Sequence, residues 1–313
     1  MRSSRFLTLL AVGAVATLGF AGCASAEPDA GGSGDRIAVV ASTNVYAQIA
    51  GEIGGDLVDA TAIVSSAGQD PHSFEPSARD QLTVQRADLI IENGGGYDAF
   101  VDALIESSGS TAPVITASEF SPEWTGDAAH DDGDGHDHVA GFNEHVWYDP
   151  ETMAALAEEI ASELGALRPD DADTFTANAA EFDAGIAGLQ TALAEIDAAH
   201  AGAEIFATEP VPLYLVTAAG LVNVTPDAFS QAVEEGQDVA PSTLLDSLEL
   251  LRSGEVRVVI VNTQTGGAET TEVISEAGAD GIPVVEFSET LPEGQTYLIW
   301  MQANIDALAG ALE

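Results

Sequence analysis

Residues 170–200 read DDADTFTANAAEFDAGIAGLQTALAEIDAAH. Phe175, Phe182, Ile186, Leu189, Leu193 and Ile196 fall at helical spacings on this stretch, which predicts a single amphipathic helix of about thirty residues. At 1.5 Å per residue it would extend roughly 45 Å, long enough to lie across two neighbouring lobes as a rigid spine. A coiled-coil partner helix is the competing reading of this stretch. A second Ala-rich helical pattern, Glu151 to Leu167, precedes it and stops at Pro169.

On both sides of this spine, short apolar runs alternate with helical patterns. Before it come IAVVAS, Tyr46 to Ile53, LVDATAIV, Ala78 to Ala87, DLIIEN, Phe100 to Ile105 and PVIT. After it come EIFAT, Pro212 to Ala219, Leu221 to Val224, Pro241 to Leu251, VRVVIVN, Thr270 to Ala277, PVVEF and Thr296 to Leu312. This βαβα rhythm is that of parallel sheets covered by helices on both faces. The expected organisation is an α/β fold of two parallel-sheet lobes joined by one long rigid helix. Residues 36–168 would form the N-terminal lobe, 169–200 the linking helix and 201–313 the C-terminal lobe.

The start of the chain reads as an export signal over residues 1–22. Arg2 and Arg5 form a charged beginning, and Phe6 to Phe20 form an apolar run too short to span a bilayer comfortably. Cys23 is the only cysteine and follows Ala21 and Gly22, so FAGC resembles a bacterial lipobox with Phe20 where Leu is usual. Lipidated Cys23 and a flexible Ala/Gly/Ser/Pro/Asp tether to residue 35 would anchor the folded part to the outer side of the cell membrane. With one cysteine there is no internal disulfide framework, and stability must come from the core.

The chain carries 52 acidic residues and eight arginines, with no lysine, for a formal net charge of −44. Such a balance excludes nucleic acid as a partner and suits a solvated, high-salt-tolerant surface.

Four residues able to hold a divalent cation stand on separate segments: His72 in DPHSFEPS, His145 in EHVWYDP, Glu209 in ATEP and Glu289 in FSETLPEG. Open α/β sheets bind ligands outside the carboxyl ends of their strands. His72 follows LVDATAIV by one short loop, Glu209 directly follows EIFAT, Glu289 directly follows PVVEF, and His145 precedes a helix that starts near Asp149 and Pro150. Two imidazoles with two carboxylates make a formally neutral site for a dication. Monodentate carboxylates would give a tetrahedral, zinc-like site, whereas bidentate ones would raise the coordination to about six and admit manganese.

A second cluster, HDDGDGHDH at 130–138, places His130, His136 and His138 among acids and glycines within a loop expected at 126–140. It has no apolar anchor, and it lacks the glycine and the bidentate glutamate of a calcium-binding EF-hand loop. Low-affinity capture of zinc is the function its composition allows. His200 ends the spine helix, where a partial positive charge suits the helix dipole, and reads as structural.

Together, the lipobox-like start, DPHSFEPS, EHVWYDP with the His/Asp-rich insert before it, the spine-like helix and TEP followed by a helix resemble the metal-binding lipoproteins of bacterial ABC importers, the ZnuA-like or TroA-like family. The resemblance covers essentially the whole mature chain. It implies a C-clamp fold of the periplasmic-binding-protein type, with zinc or manganese held between the lobes for delivery to a membrane permease and its ATPase. The family's first two histidines correspond to His72 and His145. Its third ligand, His in many zinc-specific members and Glu in manganese-type ones, corresponds to Glu209. Its fourth, usually Asp, corresponds to Glu289. The His-rich insert is a zinc-type feature, and zinc is the expected cargo with manganese the alternative.

The expected protein is a monomer without enzymatic activity. A metallohydrolase would need an open coordination position, and the sequence has no HExxH helix, GxSxG turn or cysteine nucleophile. A surface adhesin using the tether and the acidic face would not depend on His72 and His145. Because one rigid helix would join the lobes, small loop movements are expected on loading, not large hinge closure.

Overall fold

The computed structural model describes residues 36–313 apart from Ala67, Asp70, Ser73 and residues 127–140. The export signal, Cys23 and its tether, and His130, His136 and His138 lie outside the described residues. Within them, eight strands form two four-stranded sheets, parallel throughout. The first has the order β2-β1-β3-β4, from β1 (Ile37–Thr43), β2 (Val58–Val64), β3 (Leu89–Glu92) and β4 (Val114–Thr116). The second repeats that order as β6-β5-β7-β8, from β5 (Glu204–Ala207), β6 (Val222–Asn223), β7 (Val256–Asn262) and β8 (Val284–Phe287).

The central strands are apolar at successive positions because each sheet is covered on both faces. Along β1, Val39 and Ala41 enter one core while Val40 enters another with Ile90, Val101 and Leu104. Along β7, Val258 and Ile260 face inward while Val259 and Val261 meet Phe206, Phe229 and Val273 outside. The two outer cores are separate, but the inner one is shared. It takes in Ile37 and Ile91 of the first sheet and Ile205 and Phe287 of the second.

The spine supplies much of that shared core. It is α5 (Ala172–His200), and it buries Phe175, Ala179, Phe182, Ile186, Leu189, Leu193 and Ile196. Each large apolar side chain so buried contributes about 1.5–3 kcal/mol of transfer free energy. The helix starts two residues later than its pattern suggested because Pro169–Asp171 form a short 3-10 turn. It packs on α1 (Asn44–Gly54) and α4 (Pro150–Leu167) of the first lobe, and on α6 (Leu213–Ala218) and α10 (Tyr297–Leu312) of the second. The pattern at 151–167 is thus α4, started by Pro150 at its first position with the Asp149 side chain accepting from the Glu151 N–H.

Polar bridges reinforce this packing. Asn44 exchanges two hydrogen bonds with the Leu291 backbone, at 2.8 and 2.9 Å. The Tyr297 hydroxyl donates to Trp147 O at 2.8 Å, and the Tyr297 N–H donates to Gln48 Oε1 at 2.8 Å. The Tyr148 ring stacks on Phe287 at 5.6 Å between centroids, with 7° between the planes.

Four more helices join the helical layer: α2 (Ala78–Val84) and α3 (Phe100–Ser108) on the first sheet, and α8 (Pro241–Arg252) with α9 (Ala268–Asp280) on the second. One helix was absent from the sequence reading, α7 (Asp227–Glu234), which buries Phe229 and Val233 four residues apart. Its eight residues were too few for periodicity to stand out, although Pro226 before it and Gly236 after it mark its ends. Among the described residues no helix is long and apolar enough to cross a membrane.

The turn from α6 to β6 rests against the end of the spine. Gly220 there has φ +67°, and a Cβ on it would lie 1.8 Å from Asp197 Oδ1 of α5. Gly220→Ala should therefore destabilise the fold by about 1–3 kcal/mol, from left-handed backbone strain and the displaced Asp197. Denaturant unfolding would show it, with the midpoint shifted and the slope unchanged.

Candidate metal centre

All four candidate ligands stand beyond carboxyl ends of strands or on the loops facing them. His72 follows β2, Glu209 and Glu289 each stand two positions beyond the ends of β5 and β8, and His145 opens the 3-10 turn Val146–Tyr148 ahead of α4. His72, His145 and Glu289 each offer one donor atom, and these atoms all lie within 4.8 Å of one another. His72 Nε2 is 4.0 Å from Glu289 Oε2, and the two imidazole centroids are 6.0 Å apart. Glu209 stands one amide away from this trio. Asn262 Nδ2, at the end of β7, donates to Glu209 Oε2 at 2.9 Å and to Glu289 Oε1 at 2.6 Å. Thr265 Oγ1 donates to Glu209 Oε1. Asn262 and Glu209 end neighbouring strands β7 and β5, where strand order reverses in the second sheet, the place such sheets form their crevice.

His145 is fully buried and its tautomer is set by a neighbour. Asn143 Oδ1 accepts from the His145 backbone N–H at 3.2 Å and lies 2.8 Å from His145 Nδ1. The Asn143 amide is oriented from its other side too, since Nδ2 donates to Pro210 O at 3.1 Å. Nδ1 therefore carries the proton, and Nε2 turns its lone pair to the cleft. Pro210 adjoins Glu209, so Asn143 also ties the His145 loop to the Glu209 loop. The Tyr214 hydroxyl closes the same link by donating to Asn143 O at 2.7 Å.

Glu289 is held along its backbone by both lobes. The Tyr148 hydroxyl donates to Ser288 O at 2.7 Å, and Gln264 Oε1 accepts from the N–H of Glu289 at 2.8 Å and of Thr290 at 2.9 Å. Asn44 then clamps Leu291. Tyr97 completes the carboxylate's surroundings, donating to Glu289 Oε2 at 3.1 Å with its ring edge-on to His72. Burial, and after it the Glu289 charge, push the Tyr97 hydroxyl well above the usual phenol range, so it remains a donor.

Tyr97 is placed by the sequence Asn93–Asp98. Gly94 has φ +71°, and a Cβ there would meet Thr116 Cγ2 at 2.3 Å, so only glycine lets the chain turn so close to β4. Asp98 accepts from the N–H groups of Asn93 and Gly94 at 2.7 and 2.8 Å, and Asn93 Nδ2 donates to Glu144 O at 2.9 Å. Just before this loop, Glu92 is pushed up to about 8 by burial first and then by the charge of Asp98, against a bond from Thr116 that lowers it.

Two further carboxylates reach this site beside the four candidates. Glu144 precedes His145 within EHVWYDP, and Glu234 ends α7 with Oε1 3.9 Å from His145 Nε2. With His72 they form a second group whose donor atoms all lie within 4.8 Å of one another. The adjacency of Glu144 to His145 was visible in the motif, but nothing along the chain signals that Glu234 reaches the cleft. Asn143, Asn262, Tyr97 and Gln264 were equally hidden, since each acts through the side chain it positions.

Residues 39–311 match the family described as ZnuA, zinc-uptake complex component A, periplasmic. The chain belongs to that family. Among the relatives of this ZnuA-family chain is the manganese ABC transporter substrate-binding lipoprotein scaA of Streptococcus gordonii, 26% identical, with 100% of this chain and 99% of the relative covered. The zinc-binding lipoprotein AdcA of Streptococcus pneumoniae is 27% identical over 82% of this chain and 52% of the relative. A crystal structure of ZnuA superposes with a TM-score of 0.70 at 21% identity, covering 89% of this chain and all of that one. The laminin binding protein Lmb of Streptococcus agalactiae does so with a TM-score of 0.70 at 25% identity, over 88% and 100% of the two chains.

Two expectations follow from these contacts. Asn262→Ala removes the donor common to Glu209 and Glu289, and isothermal titration should show metal affinity reduced by roughly 10–100-fold. Glu92 concerns stability. Its folded value lies above the ordinary 4.5, so the folded state holds an extra proton between about pH 4.5 and 8. Its contribution to stability is therefore full below pH 4.5 and is lost as pH rises towards 8, on the order of a few kcal/mol. Chemical unfolding at pH 5 and pH 8 should show a smaller decline for Glu92→Gln than for the unsubstituted protein.

Proposed function

We propose that this chain is the extracytoplasmic solute-binding lipoprotein of an ABC importer, capturing a divalent metal ion between its two lobes and handing it to a membrane permease powered by its ATPase. The observation that carries this reading is the convergence of His72 and His145 from the first lobe with Glu289 from the second. His72, His145, Glu209 and Glu289 would be the ligands. Two neutral imidazoles supply donors favoured by first-row metals, and the two carboxylates balance the dication. Four such donors would fill a tetrahedral ion, leaving no open position for activating water, so transport and not hydrolysis is the reading the site supports.

Zinc is the cargo we propose. Imidazole pairs with monodentate carboxylates suit it, and His130, His136 and His138 would offer an auxiliary capture loop. Manganese is the second reading, favoured by the carboxylate Glu209, by Glu234 near the same donors and by the similarity to scaA, a manganese ABC transporter substrate-binding lipoprotein. The protein would act as a monomer outside the cytoplasmic membrane, held by a lipid on Cys23. Rigid lobes are supported by the hydrogen bonds of Asn44, Tyr148, Tyr297 and Asn143 across the junction, so loading would move loops and leave the lobe arrangement intact.

Competition dialysis of the full chain should find one tightly held zinc that equimolar manganese does not displace. Displacement by manganese would assign the cargo to that metal. His72→Ala should weaken binding by roughly 100-fold or more, and unchanged affinity in that variant would remove the site from this cleft.

A further inference from the structure

The cleft holds more ligand atoms than one tetrahedral ion can use. Six side chains crowd it: His72, His145, Glu144, Glu209, Glu234 and Glu289. Five of them form two groups that share His72, with Glu209 joined to the first through Asn262. One contains His145 and Glu289, and the other contains Glu144 and Glu234.

Exposure sets Glu234 and the shared His72 apart from the other donors of the two groups, since Glu144, at 3%, is as buried as the inner pair. The His72 and Glu234 side chains are 13% and 14% accessible, against 1% for His145 and 2% for Glu289. An ion arriving from solvent meets His72 and Glu234 before it can reach His145 and Glu289. Glu144, buried and adjacent to His145 in sequence, sets a donor of the second group directly beside a donor of the first.

Glu234 also breaks a local rule. It occupies the last turn of α7, where the helix dipole disfavours a negative side chain, and Glu235 follows it. Carboxylates brought against such a helix end, and against a second carboxylate, are stabilised by a cation. Sites where sequence breaks the local preference are those where function outweighs it.

We propose that His72, Glu144 and Glu234 form an outer cation position through which the metal passes to and from the inner position of His72, His145, Glu209 and Glu289. The proposal rests on the reading that this cleft binds a divalent metal. Two carboxylates neutralise the dication at the outer position, as two do at the inner one. His72 stays bonded during the transfer while Glu144 and Glu234 are exchanged for His145 and Glu289, so the ion is never stripped of protein donors. Glu234 thus governs the rate of exchange more than the final affinity. Because α7 belongs to the second lobe and Glu144 to the first, small shifts between these loops would open or close the route.

The test is stopped-flow binding of zinc alone to the full chain, with release into excess chelator, read by the fluorescence of Trp147, whose ring lies 5.1 Å from that of His145. Glu234→Gln should slow both uptake and release by about tenfold, with a change in dissociation constant far smaller than that of His145→Ala. Glu235→Gln removes the same charge from the same helix end and should leave both rates unchanged. The near-isosteric amide and the unfolding midpoint of the metal-free variant guard against a folding artefact. Rates in Glu234→Gln within twofold of the unsubstituted protein would overturn the proposal. Equal slowing by Glu235→Gln would overturn it too, by showing simple steering by charge. A loss of equilibrium affinity matching that of His145→Ala would make Glu234 a resident ligand and end the transit role. Absence of zinc and manganese binding by the unsubstituted protein would instead remove the transport reading itself, and the outer position with it.

Discussion

The inner apolar core common to both sheets is the constraint on which the cleft depends. Donors on opposite lobes stay within a few ångströms only if the lobes cannot drift. α5 alone would give a hinge, since one helix fixes a distance and leaves a rotation free. What removes that freedom is that α1, α4 and α10 all pack on the same helix and α1 packs on both of the others, with Trp147, Tyr148 and Tyr297 filling the junction. Asn44 and Tyr148 then bind the backbone on either side of Glu289 across that junction.

This arrangement explains how buried acids are tolerated in a chain already at −44. An isolated carboxylate in such surroundings would be costly, and Glu209 and Glu289 are given donors instead. Glu289 has Tyr97 and Asn262, and Glu209 has Asn262 and Thr265. Most of these partners are neutral amides and hydroxyls. They orient the acids without neutralising them, which leaves the negative charge available to a dication. Arginine would have stabilised the empty cleft and opposed its loading.

The two lobes contribute unequally to the cleft. The first lobe brings both imidazoles, one buried and one partly open, and Asn143 gives His145 the tautomer that a metal needs. The second lobe brings Glu209, Glu234 and Glu289, at different depths. The same supersecondary order is repeated in both sheets, yet the switch point carries Glu209 and Asn262 in one and the Tyr46–Asn93 bond in the other. One crevice is thus built for charge, and the other is a structural anchor for the loop bearing Tyr97.

Periodicity along the chain sufficed for the spine, for the alternating strands and helices of both lobes, and for α4 from Pro150, because apolar spacing is a local property that burial must satisfy. The motifs around His72, His145, Glu209 and Glu289 were legible for the same reason: each stands beside a strand end or helix start readable from its neighbours. The short helix α7 escaped, since eight residues carry too little periodic signal, and Glu234 escaped with it. Only the tertiary structure could bring Glu234 within 3.9 Å of His145, give one amide of Asn262 to two glutamates, and set Glu209 beside the trio. Those contacts join residues from 27 to 89 positions apart, whose meeting depends on how two sheets pack around a shared core and not on any pattern within a segment.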